Sequence, residues 1–394
     1  MELRPGYKQT EAGTIPDDWN LLRLGEIAAV SAGGTPSRAN PTYWNGDIPW
    51  VTTTEVDFCR ICDTAQRITG AGVRNSAAKV FPAETLLMAL YGQGKTRGKV
   101  AILGIDAATN QACAAISLAR DTSREFVFYS LASRYEEIRS LSNTGNQENL
   151  NNGIVRSILV PLPKQAEQRA IAEALSDVDG LLGGLDRLVA KKRDLKQAAM
   201  QQLLTGQTRL PGFAGEWEVK TLGKSADCLD NVRVPLNEAQ RAAMPGDHPY
   251  CGANGILDYV NEYVIDDDII LMAEDGGYFD EYETRPIAYR MQGKCWVNNH
   301  AHILKAKSGF DQSFLFFSLV HRNILPFLAS GTRAKLNKSE LNKIEVLFPN
   351  TEAEQSAIAA ILSDMDAELT TLEARRDKTR SLKQAMALPI SSPF

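Results

Sequence analysis

The chain has 394 residues, 44% of them hydrophobic and 23% charged, with a net charge of −5. That length exceeds one ordinary domain, and the composition is that of a globular protein, neither disordered nor fibrous. The acidic balance argues against a protein that coats nucleic acid by bulk charge alone, and no apolar run approaches the ~18–20 residues of a bilayer-spanning helix.

Met1–Gly13 lacks the apolar core of a signal peptide, so a cytoplasmic location is expected. In chain order, Trp19-x4-Leu24-Gly25 opens a stretch dense in turn signals, among them Gly33-Gly34-Thr35-Pro36 and Asn45-Gly46-Asp47. A strand is expected at Lys99–Leu103 and a helix at Arg124–Ser140, and the stretch closes on SILVPLP, 157–163. Next comes a long helical pattern with apolar residues at Ile171, Leu175, Val178, Leu182, Leu185 and Val189, alternately four and three apart. That spacing is a coiled-coil seam. Gly180, Gly183 and Gly184 weaken it, each by about 1 kcal/mol relative to Ala, which calls for a closely packed partner helix or a hinge. Gly206 is a suitable stop.

Trp217-x4-Leu222-Gly223 then opens a second stretch. Its turn signals are Asn254-Gly255 and Asp275-Gly276-Gly277, and Asp266-Asp267-Asp268 reads as a solvated turn before Ile269–Met272. Strands are expected at Asp268–Met272 and Ala301–Lys305, and a helix at Gln312–Ser330 that Pro326 kinks or ends. KIEVLFP, 343–349, matches SILVPLP. Thr351-x-x-Glu354 is a capping box for a second long helix, whose seam is Ile358, Leu362, Met365, Leu369 and Leu372.

The chain therefore repeats itself. Residues 166–200 and 353–387 align without a gap at an offset of 187 (353 − 166), with about half the positions identical. The stretches before them agree at their ends and differ in their middles. Four segments follow: a first module, 1–163; a helix, 164–206; a second module, 207–350; and a helix, 351–388. The modules read as mixed α/β, and the fold class expected is α/β: two mixed domains in pseudo-twofold arrangement, joined by two long antiparallel helices forming a coiled coil. Such a duplication suits a target that is itself roughly twofold, as duplex DNA is.

Catalytic motifs are not found. Gly92-x-Gly94 is followed by Arg97 where a dinucleotide fingerprint needs Gly, and Gly94-Lys95-Thr96 lacks the upstream glycine of a phosphate loop. The four histidines, at 248, 300, 302 and 321, all lie in the second half. Cys59-x-x-Cys62 has no second ligand pair at zinc spacing, so no metal is expected. On residues alone three classes stay open: a DNA-reading subunit, a coiled-coil scaffold that binds only protein, and a self-contained DNA-modifying enzyme.

Four segments carry a resemblance: GGTPSRANPTYWNGDIPWV (33–51), QAEQRAIAEALSDVDGLL (165–182), YCGANGILDYV (250–260) and WVNNHAHIL (296–304). With the alternation of module and AEQ-type helix, the chain resembles the specificity subunit of type I restriction–modification systems over nearly its whole length. The resemblance implies that each module is a target recognition domain for one half of a split DNA sequence. It implies that the helices pair antiparallel, set the spacing and dock two modification subunits that methylate adenine with S-adenosylmethionine. It implies that a motor-nuclease subunit using ATP with Mg can join, and that this chain catalyses nothing and binds no cofactor itself.

Base reading uses amides, guanidinium groups and small hydroxyls. The loop candidates in the first module are Thr35, Ser37, Arg38, Asn40 and Tyr43, with Gln93, Lys95, Thr96, Arg97 and Gln111. Arg97, in a glycine-flanked loop, is the foremost of them. The second module offers Arg233, Asn237, Arg241, Tyr250, Asn254, Asn298, Asn299 and His300. Segments 95–99 and 331–343, the latter with Arg333, Lys335 and Lys338, suit phosphates. Trp44 and Trp50 read as core.

Overall fold

Leu86–Ala89 and Val100–Leu103 carry no polar side chain on either face and are buried at every position. Such runs are stable as strands covered on both sides, and they lie at the centre of the first module. The structure, a computed structural model, describes residues 5–92, 96–141, 149–329 and 334–387.

The first module contains β1 (Asn20–Arg23), β2 (Ala28–Ala32), β3 (Trp44–Val51), β4 (Arg60–Ile61), β5 (Gln66–Ile68), β6 (Val80–Phe81), β7 (Leu86–Ala89), β8 (Val100–Leu103), β9 (Ala107–Thr109), β10 (Cys113–Leu118), α1 (Arg124–Ser133) and β11 (Leu159–Leu162). Helix α2 (Gln165–Leu203) follows. The central sheet has the order β2-β10-β7-β8-β4, and a second sheet has the order β5-β3-β9-β6. The second module contains β12 (Glu218–Thr221), β13 (Ala226–Cys228), β14 (Pro245–Gly252), β15 (Gly255–Val260), β16 (Ile265–Ala273), β17 (Ala288–Val297), β18 (Ala301–Ala306), α3 (Gln312–Leu319) and β19 (Glu345–Phe348). Helix α4 (Glu352–Ala387) follows. Here one six-stranded sheet runs β13-β18-β16-β17-β14-β15.

The first four strands of these central sheets, β2-β10-β7-β8 and β13-β18-β16-β17, have the same order and are antiparallel throughout. The frame around them repeats too. Trp19 meets Phe126 edge to face at 6.1 Å, and Trp217 meets Phe314 in the same way at 6.2 Å. Leu24 N donates to Ile158 O at 2.8 Å, and Leu222 N to Ile344 O at 2.7 Å. The glutamine of each AEQ triplet is buried at 2% exposure. Gln168 Oε1 accepts from Ser123 N at 2.8 Å while its Nε2 donates to Pro163 O at 2.9 Å. Gln355 Oε1 accepts from Asp311 N at 2.8 Å while its Nε2 donates to Pro349 O at 3.2 Å. Ser123 and Asp311 are the N-caps of α1 and α3. One amide thus ties the helix to the module before it, as acceptor and donor at once.

Three local expectations are corrected. The helix expected at Arg124–Ser140 is broken at Arg134, whose buried guanidinium turns to Glu137 and to the carbonyl of Leu159, and a separate helix takes Tyr135–Ser140. The helix expected at Gln312–Ser330 ends at Leu319, and Pro326 sits in a 3-10 turn, Leu325–Phe327. Asp266-Asp267-Asp268 lies within β16 and not in a turn, with Asp266 exposed, Lys305 paired with Asp267 and Arg290 with Asp268. The capping box at Thr351 is half made. Thr351 Oγ1 accepts from Glu354 N at 3.3 Å, but the Glu354 carboxylate is taken by Arg209.

The chain divides into two compact units, 1–185 with 375–394 and 186–374, so the boundary passes through both long helices and neither helix is a body of its own. In the first unit Lys383 Nζ lies 2.5 Å from Asp179 and 5.5 Å from the ring centre of Tyr129. In the second unit Lys196 pairs with Asp366 and lies 5.6 Å from the ring centre of Phe317. Lys192 also pairs with Glu368, and Arg193 with Glu373. Because Lys192 and Lys196 meet Glu368 and Asp366 in reversed order, the helices are antiparallel there. Leu175, Leu182, Leu185, Val189 and Leu369 are buried, and Val178, Met365 and Leu372 half-buried. Ile171, Ile358 and Leu362 belong to the modules' own cores, since the first turns of each helix lie on the module they leave.

Gly180 and Gly184 in α2 have no packing reason: a Cβ built on either meets nothing within 4 Å, which removes the close-partner explanation at those two positions. Gly180→Ala and Gly184→Ala should each raise stability by up to about 1 kcal/mol, read as a higher thermal midpoint. A lowered midpoint would mean that the helix needs a bend there. Among the described residues no helix is long and apolar enough to cross a membrane.

Candidate nucleic-acid interface

Antiparallel pairing brings three connections to one end of each central sheet: the one after β2 or β13, the one between β7 and β8 or β16 and β17, and the turn before β10 or β18. In the first module Gly34 N donates to Thr109 O at 2.8 Å, and Trp50 Nε1 donates to Gly34 O at 3.0 Å. A Cβ on Gly33 would lie 2.0 Å from Thr109 O, so only glycine lets this loop come so close. Leu90 N donates to Ala112 O at 2.8 Å, and Glu274 N to His300 O at 2.8 Å. Leu150 N donates to Leu90 O at 3.0 Å, and Leu336 N to Glu274 O at 2.7 Å. The loop ends are therefore built alike.

At this end of the first module Thr35 and Gln111 are exposed and bonded to each other through Thr35 Oγ1 and Gln111 Oε1. The exposed Arg38 lies flat on Trp44, 3.6 Å from the ring centre, and donates to Gln66 Oε1 at 2.7 Å. Trp44 meets Trp50 edge to face at 5.0 Å, so Trp50 is core and Trp44 is the base on which the guanidinium rests. Ser37 is exposed, and its carbonyl accepts from Trp44 Nε1 at 3.1 Å. Asn40 caps the 3-10 turn Pro41–Tyr43, and the half-buried Tyr43 holds Thr69 N through its carbonyl at 2.9 Å. Thr96 is half-buried and donates to Tyr91 O at 3.1 Å. Arg97 is 5% exposed, which corrects the expectation of a guanidinium offered to solvent. Gln93, Lys95 and Arg333 lie outside the described residues.

In the second module the same end is a closed ionic network. His302, 1% exposed, has Nδ1 2.7 Å from Asp230 Oδ2 and Nε2 2.8 Å from Leu336 O. Arg233 bridges Asp230, at 3.1 Å, and Glu274, and also donates to Ala301 O at 3.1 Å. Lys335 reaches Glu274 at 2.8 Å, and His300 reaches Asp275 at 2.7 Å. Burial pushes the Glu274 carboxyl up, but hydrogen bonds from Arg233 and Lys335 outweigh it, so the group stays below the usual carboxylate range. Asp230 is held low in the same way, by His302 against burial. Burial and the Asp230 charge push the Cys228 thiol up to about 12. Cys228, Asp230 and His302 form a three-residue group of metal-ligand type among the described residues. Both His302 nitrogens and the Asp230 carboxylate are engaged in hydrogen bonds within the protein, which clasp this end of the sheet to the backbone at Leu336.

Several expected contacts are structural. Tyr250 is 1% exposed, its hydroxyl bonded to the backbone of Leu236, because it sits on the inner side of β14. Arg241 lies over Tyr250 at 5.2 Å and pairs with Asp258 at 3.0 Å. Asn237 makes a full capping box with Gln240. Asn298 is 4% exposed and accepts from His300 N at 2.8 Å. Asn254 is exposed at the β14–β15 turn, with Nδ2 2.9 Å from Gly276 O. Lys338 is exposed and donates to Cys228 O at 3.0 Å. Asn299 is exposed. Gln66, Asp230 and Glu274 were not singled out from sequence, since no motif surrounds them, and Asp275 was read only as part of a turn.

Two copies of one module, each with polar loops at one sheet end and each clamped to a long helix, define a two-module recognition protein. The chain belongs to the family described as the type I restriction modification DNA specificity domain, whose model matches residues 16–186 and 214–379. It is 37% identical over 158 residues to the provisionally named type I restriction enzyme specificity subunit S.HindORF215P of Haemophilus influenzae, covering 40% of this chain and 39% of that one. It is 29% identical over 287 residues to the type I restriction enzyme MjaIX specificity subunit of Methanocaldococcus jannaschii, covering 66% of this chain and 65% of that one. The matches thus span less than two thirds of either relative. The crystal structure of the type I restriction–modification S subunit from M. genitalium has the same fold, with a TM-score of 0.69 at 16% identity, over 100% of this chain and 99% of that one.

Proposed function

We propose that this chain is the sequence-reading subunit of a type I restriction–modification complex. Each module reads one half of a split duplex target, and the paired helices set the gap and dock two modification subunits. Adenine methylation, with S-adenosylmethionine, belongs to those subunits. A motor-nuclease subunit using ATP and Mg can join them. The chain itself catalyses nothing and works in the cytoplasm. The observation that carries this reading is the repetition, in both modules, of one loop end built by the same backbone hydrogen bonds but furnished with different side chains. A shared frame with divergent tips is what two readers of two different half-sites require. Local bases meet phosphates, which is compatible with an acidic total.

Deleting four residues from one long helix removes about 6 Å of rise, near two base-pair steps of duplex. The gap between half-sites should change while the half-sites stay as they were. The check is long-read mapping of modified adenines in cells that express the chain with its modification subunit. Altered half-sites with an unaltered gap would refute the reading, as would methylation that the purified chain performs alone.

A further inference from the structure

We propose that Gln111 and Asn299 are the matched base-reading side chains of the two modules, and that each reads an adenine in its own half of the target. The inference rests on the DNA-reading function proposed above. It begins with a turn that the two modules share. Asn110 N donates to Val51 O at 3.0 Å, and its Oδ1 accepts from Ala112 N at 3.0 Å. Asn298 N donates to Cys251 O at 3.0 Å, and its Oδ1 accepts from His300 N at 2.8 Å. Both asparagines hold the turn through their side-chain oxygens, and neither is exposed, Asn298 at 4%. The residue after each of them is the exposed tip: Gln111 in one module, Asn299 in the other.

Both tips carry a carboxamide, although a solvated turn position places no structural demand for one. Thr35 Oγ1 donates to Gln111 Oε1, which fixes the amide plane. Neither the Gln111 nitrogen nor the Asn299 amide has a partner among the described residues. The Asn299 backbone is steadied instead, its carbonyl accepting from Arg233 at 3.4 Å. Neighbouring carboxylates do not confront the phosphates uncompensated, since Arg233 and Lys335 hold Glu274, and His300 holds Asp275. A carboxamide offers one donor beside one acceptor. That pair matches N7 and the N6 amino group of adenine in the major groove, and no other base edge presents the same two groups in that order.

The test uses the chain purified with its modification subunits and a pool of random duplexes, sequenced after binding. Gln111→Ala should relax one base position in one half-site, lowering discrimination for adenine there by about 5- to 150-fold, and leave the other half-site intact. Asn299→Ala should do the same in the other half-site. Gln111→Glu and Asn299→Asp should shift the preference at those positions toward cytosine, because a carboxylate accepts from N4 and cannot donate to N7. Thermal midpoints equal to that of the unmodified chain separate these effects from misfolding. An unchanged motif in the alanine and acidic variants, or a uniform loss of binding across all sequences, overturns the inference and leaves the recognition function standing. An unmodified chain that selects no split motif overturns both.

Discussion

Arg209→Ala should lower the stability of the second unit by about 3 kcal/mol, because it strips a fully buried carboxylate of its partner. Glu354 is 0% exposed, and Arg209 meets it through two parallel bonds, Nε–Oε1 at 2.9 Å and Nη2–Oε2 at 2.6 Å. Losing one member of such a pair costs about 3–5 kcal/mol. The lower end is expected because a substitute donor is at hand. In the first module the matching Glu167 accepts from Trp19 Nε1 at 3.3 Å, whereas Trp217 Nε1 is buried without a partner among the described residues. Once Arg209 is gone, Trp217 can turn to Glu354 as Trp19 does to Glu167. Denaturant unfolding followed by tryptophan fluorescence reads both the loss and the new hydrogen bond. Replacing Arg209 and Glu354 together by Leu should recover most of the stability, since buried ion pairs exchange for apolar pairs at little cost. A double variant as weak as the single one would show that the pair does more than neutralise itself.

Gln168→Leu and Gln355→Leu should each cost about 2–4 kcal/mol, because each leaves one buried N–H and one buried carbonyl unpaired. Glutamate is not a substitute. It can accept from Ser123 N or Asp311 N, but it cannot donate to the carbonyl of Pro163 or Pro349, and it brings a charge to a site 2% exposed. The two losses should add within a few tenths of a kcal/mol, as sites that share no partner do. Chemical denaturation of the two single variants and the double variant checks this. A loss under 1 kcal/mol from either would mean that the amide is a bystander.

The parts legible in the sequence were those whose period or text repeats. The four-three spacing gave the helices, and α2 and α4 lie within the limits expected for them. Paired Trp and Leu-Gly positions gave the frame, and short apolar-rich runs gave the strands at Val100–Leu103, Ile265–Ala273 and Ala301–Ala306. The loop chemistry was less legible, for a physical reason in each case. Arg97 stands among glycines and reads as exposed, yet it folds inward. Tyr250 lies in a polar-looking segment, but a strand alternates its faces and Tyr250 took the inner one. Asn298 and Asn299 look equivalent in sequence, but the turn uses the first as a bracket and exposes the second. That Asn110 and Asn298 do the same work was hidden because the intervening loops differ in length, so no single offset aligns them. The network of Asp230, Arg233, Glu274 and His302 joins residues far apart in the chain, and local pattern carries no trace of it.

The lysine that rests on an aromatic ring and grips an aspartate occurs twice, as Lys383 with Tyr129 and Asp179, and as Lys196 with Phe317 and Asp366. Since the surrounding helix text is also duplicated, a genetic exchange within either copy would transplant a whole module and still deliver it to an equivalent socket. New pairings of modules could then arise by cassette shuffling, with no repair of the graft junction required.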